Sequence, residues 1–151
     1  MVRARLGEAL KAAMKAHDSR AVSTVRMILA KLKDEDIAAR GCGNAEGIGE
    51  PEIIRMLQGM VKQRRESVTL YRQGNRPELA EQEEAEIAII EGFMPAQLAE
   101  AEIEEAVAAA IAETGAASAK DMGRVMALLR ERHAGRMDFA KAGAAAKKRL
   151  S

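Results

Sequence analysis

Along nearly the whole chain the apolar side chains recur every three or four positions, and the pattern breaks where glycine or proline stands. That spacing gathers apolar groups on one face of an α-helix and does not suit the alternation of a half-buried strand. Leu6, Leu10, Ala13 and Met14 line a first helix over 2–16. Val25, Ile28, Leu29 and Leu32 line a second over 20–40, which Asp18 or Ser19 can cap. Pro51 stands in the first turn of a third helix (51–73), Gly74 ends it, and Pro77 opens a fourth (77–92). Three shorter helices follow at 100–113, 119–133 and 138–149, with stripes of Ile103, Val107 and Ile111, of Met122, Val125, Met126 and Leu129, and of Phe139, Ala142 and Ala146. Ser118 with Asp121 makes a capping-box-like start between the first two.

Strong helix formers dominate the composition, and the only aromatics are Tyr71, Phe93 and Phe139. Little material is left for strands, so the fold class is all-α. Gly92-Phe93-Met94-Pro95 divides four long helices from three short ones. Proline removes a donor and disfavours helix at Met94, so the chain should bend there, between domains at 1–94 and 95–151. The glycine-rich run 41–49 cannot continue a helix and reads as a mobile loop.

No apolar run approaches the roughly 20 residues that span a bilayer, so no membrane association is expected. The charged, amphipathic start does not resemble a signal peptide. A single cysteine, Cys42, forms no internal disulfide and suits a reducing cytoplasm, the location expected for the chain.

A net charge of +1 hides three blocks: +6 over residues 1–76, −11 over 77–114 and +6 over 115–151. Solvated helix faces whose blocks attract one another are the default account of such a pattern, and a basic tail facing a polyanion is the sharper alternative.

The residues do not supply an enzyme. His17 and His133 end different helices, and no His-x-x-x-His, Cys-x-x-Cys or Glu-x-x-His spacing supports a metal site. The glycine loop has neither a preceding strand nor a following Gly-Lys-Ser/Thr, so it is not a phosphate loop. No catalytic residue, metal or cofactor is expected. One pair of positions breaks a local rule. Arg64 falls in the middle of the apolar stripe of the third helix and Glu83 in that of the fourth. A charge there needs a partner, because desolvating it alone costs several kcal/mol. An interhelical ion pair between Arg64 and Glu83 is expected.

Several segments together resemble one family. They are Ser23-Thr24-Val25-Arg26, Lys62-Gln63-Arg64-Arg65-Glu66-Ser67, Glu91-Gly92-Phe93-Met94-Pro95-Ala96-Gln97-Leu98, Asp121-Met122-Gly123-Arg124-Val125-Met126 and Gly135-Arg136-Met137-Asp138. In order, and across essentially the whole chain, they are similar to the signatures of the YqeY family. The resemblance implies an N-terminal four-helix bundle and a smaller C-terminal three-helix bundle. It also implies kinship with the tail of the GatB subunit of glutamine-dependent aminoacyl-tRNA amidotransferase, which grips tRNA while the chemistry happens elsewhere. Gly123–Met126 and the Gly135-Arg136 turn match that tail, although the spacer between them is about one helical turn longer here. Ala99 stands where related sequences favour a capping hydroxyl, which should fray the fifth helix by about 1 kcal/mol.

Two functions follow as expectations. The first is a non-catalytic tRNA-binding module. Its cations would be those left outside the apolar stripes of the last two helices: Lys120, Arg124, Lys141 and Lys148, with Arg136 and the Gly135 backbone in the turn between. The second is a protein-binding adaptor for an amidotransferase or an aminoacyl-tRNA synthetase, using the acidic 77–114 block or the apolar elbow. A carbon–nitrogen ligase label with glutamine as amido-N-donor would be inherited from the parent enzyme.

Overall fold

The computed structural model describes residues 1–151 and contains seven α-helices and no strand. They are α1 (Val2–Lys15), α2 (Ser19–Gly41), α3 (Glu50–Gln73), α4 (Pro77–Glu91), α5 (Glu100–Thr114), α6 (Met122–His133) and α7 (Phe139–Leu150). The expected helix over 119–133 is split. Its first residues, Ala119–Asp121, form a 3₁₀ turn. The Asp121 carboxylate folds back to accept from the Ala117 and Ser118 N–H groups (2.9 and 3.3 Å), which holds the chain out of α-geometry until Met122.

Local chemistry accounts for the helix ends. Asp18 caps α2 by accepting from the Ala21 N–H at 3.1 Å, and Asp138 caps α7 by accepting from Ala140 and Lys141. Ala99 has no side-chain oxygen to offer α5, yet Glu102 reaches back to accept from the Ala99 N–H at 3.0 Å. Half of a capping box is therefore retained.

The chain forms two compact units, Met1–Pro95 and Ala96–Ser151. In the first, α1 to α4 surround a core of Leu6, Val25, Ile28, Ile53, Leu57, Ile90 and Phe93. In the second, α5 to α7 enclose Ile103, Val107, Val125, Leu129, Met137 and Ala146. These are the positions of the three- and four-residue stripes, and their burial is what makes short helices stable in water.

The glycine loop after α2 is not the free segment its composition predicts. Asp36, buried on the last turns of α2, accepts from both Nη atoms of Arg3 at 2.7 Å and from the Ile48 N–H at 2.9 Å. The same Arg3 Nη2 donates to the Ile48 carbonyl, and Arg40 Nε donates to the Ala45 carbonyl. Gly47, at φ +85°, lies so close that a Cβ would sit 2.3 Å from Asp36 Oδ1. The loop therefore lies folded over a buried carboxylate, which its glycines permit.

Gly59 is different. It is exposed in the interior of α3, and nothing lies within 4 Å of where its Cβ would be. Gly59→Ala is expected to raise the stability of the first unit by about 0.5–1 kcal/mol, measured as a shift in urea midpoint. A decrease would mean that this helix face is covered.

Candidate nucleic-acid interface

The second unit carries nine of the chain's cations, and the structure divides them by type. Its arginines are engaged. Arg132 pairs with both oxygens of Glu113, Arg149 reaches Glu104 at 3.4 Å, and Arg130 lies over the Phe139 ring at 5.8 Å. Arg124 Nη2 donates to Asp121 at 2.6 Å, and its Nη1 donates to the Thr114 carbonyl. The Ala117 N–H and then Arg124 hold the Asp121 carboxyl below the usual carboxylate range, and Arg132 does the same for Glu113.

The Gly135-Arg136 turn is also spent internally. Arg136 Nε donates to the Ala96 carbonyl at 3.0 Å, and its own carbonyl accepts from the Leu98 N–H at 2.8 Å. The Gly135 carbonyl accepts from Gln97 Nε2 at 2.7 Å. Of the six positions expected to meet nucleic acid, Arg124, Gly135 and Arg136 thus fasten the unit together.

The lysines are free. Lys120, Lys141 and Lys148 are exposed, and their ammonium groups have no carboxylate partner. Burial of Ala142, Ala146 and Leu150 turns the other side of α7 outward. There Lys141 and Lys148, about 10 Å apart along the axis, flank the exposed Ala144. Lys147 belongs with them, being exposed and unpaired beside Lys148. Its place outside the Ala142–Ala146 stripe is the signal the sequence offers for it. Alanines between lysines leave room for a phosphate to approach the helix.

In the first unit Arg64 lies between α3 and α4, only 13 % exposed at the side chain. Its Nη1 donates to Glu83 at 3.0 Å and also to Glu86, while Nη2 contacts Met27 Sδ. Glu86 was not foreseen, although three residues after Glu83 it lies on the same helix face. The Arg3–Asp36 pair was missed too. Asp36 extends the Ile28–Leu32 spacing by four, the same signal that singled out Glu83, but it stands in a charged run and its partner is 33 residues away.

Fold and surface together define an all-helical protein of two units, the second bearing a lysine face. The chain belongs to the YqeY family: the model described as "Yqey-like protein" matches residues 3–150. It is similar to two curated proteins, both called "Altered inheritance of mitochondria protein 41, mitochondrial". The one from Lachancea thermotolerans is 33 % identical over 60 % of this chain and 46 % of its own length. The one from Eremothecium gossypii is 32 % identical over 62 % and 49 %. The chain thus spans about half the length of the curated relatives it matches. Their names overturn the expected cytoplasmic location, since both are mitochondrial. The lone cysteine excluded an internal disulfide but could not choose among reducing compartments. No helix is long and apolar enough to cross a membrane.

Proposed function

We propose that this chain is a non-catalytic tRNA-binding module, with α5 to α7 acting as a three-helix bundle that holds the RNA. The four helices before Pro95 form a separate bundle on this reading. The observation that carries it is the sorting of cations in the second unit. Arginines are consumed by carboxylates, carbonyls and a ring, while Lys120, Lys141, Lys147 and Lys148 remain exposed and unpaired. Mobile lysines on a rigid helix suit phosphate contacts, which position a nucleic acid without reading its bases. Resemblance to the amidotransferase tail supports tRNA as the substrate class. The aromatic inventory favours a folded RNA over a single strand. Phe93 is buried, Phe139 is half-buried beneath Arg130, and Tyr71 is half-buried, so no stacking platform is presented. No catalysis is proposed, because no nucleophile or base stands in an arrangement that would activate it.

Filter binding of total tRNA at several salt concentrations tests the proposal. With four lysines engaged, log affinity should fall against log salt with a slope of about −3 to −4. Lys141→Ala with Lys148→Ala should flatten that slope by about 2 and weaken different tRNAs equally. Absence of binding by the folded protein at low salt would remove the RNA reading and leave the adaptor.

A further inference from the structure

We infer that the groove between α5 and α6 docks an amphipathic helix of a partner protein that carries lysine or arginine beside its apolar stripe. The groove has a volume of about 420 Å³ and is lined wholly by the second unit, with no residue of α7. Its floor is apolar. Ala106, Ala109, Leu98 and Leu128 are among the residues that line it. From Glu102 to Ala109 it follows α5 for about two turns. That length accepts apolar side chains spaced three or four residues apart on an incoming helix.

The polar groups at its edge decide the occupant's charge, because those left free are acceptors. Glu105 has no cationic partner, and Glu102 uses only Oε1, on the Ala99 N–H. Arg132, on the opposite wall, is neutralised by Glu113 and does not offset them. His133 lines the groove at the end of α6. Two carboxylates beside an apolar lining call for an apolar body with a cationic edge. They repel a polyanion, so this surface is distinct from the lysine face.

The test uses the full chain and two designed helical peptides about four turns long, identical in their leucine stripe but flanked by lysine in one and glutamate in the other. Fluorescence anisotropy should show the lysine peptide binding at least about tenfold more tightly at low salt. Amide shifts of the isotopically labelled protein should centre on Ala106, Ala109 and Leu128. Glu105→Lys should abolish the preference, and Ala109→Phe, at an exposed position, should fill the groove and weaken the peptide about tenfold without changing tRNA binding. Circular dichroism verifies that each variant is folded. Equal binding of both peptides, binding of neither, shifts centred elsewhere, or an Ala109→Phe variant that loses tRNA instead would each overturn the inference.

Discussion

Replacing Arg64 with leucine is expected to cost the first unit about 3 kcal/mol or more. The guanidinium donates to Glu83 and Glu86 together, and both carboxylates are only 20 % exposed at the side chain. Leucine keeps the apolar contact with the neighbourhood of Met27 and removes the charge. Two partly buried carboxylates on one turn of α4 then face each other without a counter-ion. Tyr71 is the only tyrosine, lies on α3, and the chain has no tryptophan, so intrinsic fluorescence during urea unfolding reports this unit alone. Arg64→Lys should fall between the two, because an ammonium lacks the planar fork. Converting Glu83 and Glu86 to glutamine in the leucine background should recover part of the loss, since it removes the orphaned charges. A cost below about 0.5 kcal/mol would show that the triad behaves like a surface ion pair.

Asp36→Ala should cost about 2–3 kcal/mol, less than a fully buried pair because Arg3 is 42 % exposed at the side chain and can return to water. The lost acceptor also strands the Ile48 N–H and frees the glycine loop. The same site predicts a pH dependence. Arg3 first, then the Ile48 N–H, holds the Asp36 carboxyl at about 2, against 3.8 for an ordinary aspartate. The folded form binds this proton less readily than the unfolded one. Its contribution, about 2 kcal/mol, is therefore complete above about pH 4 and is lost as pH falls toward 2. In Asp36→Asn, urea midpoints read through Tyr71 should show a shallower decline over that window. An unchanged acid profile would mean that the pair does not persist in solution. Gly47→Ala gives an independent check, since its Cβ would strike the carboxylate in a backbone conformation that alanine resists.

Much of this protein was written in local chemistry. Three- and four-residue apolar spacing, with Gly74, Pro77 and Pro95 as punctuation, determined the all-α class and placed the seven helices within a few residues, because those effects act within a turn or two. A lone charge amid apolar neighbours likewise announced that Arg64 needed a partner. What the sequence could not decide is which groups meet across 22, 33 or 40 residues, as Arg64 meets Glu86, Arg3 meets Asp36 and Arg136 meets the Ala96 carbonyl. Composition made the 41–49 loop look mobile, but the tertiary structure lays it over Asp36. Charge counting made Arg124, Arg136, Lys141 and Lys148 look equivalent. Packing spends the arginines on Asp121 and the Ala96 carbonyl and leaves the lysines in solvent. The helical pattern needs only neighbours along one strand of chain, whereas the fate of each charge depends on which acceptor another helix brings within about 3 Å of it.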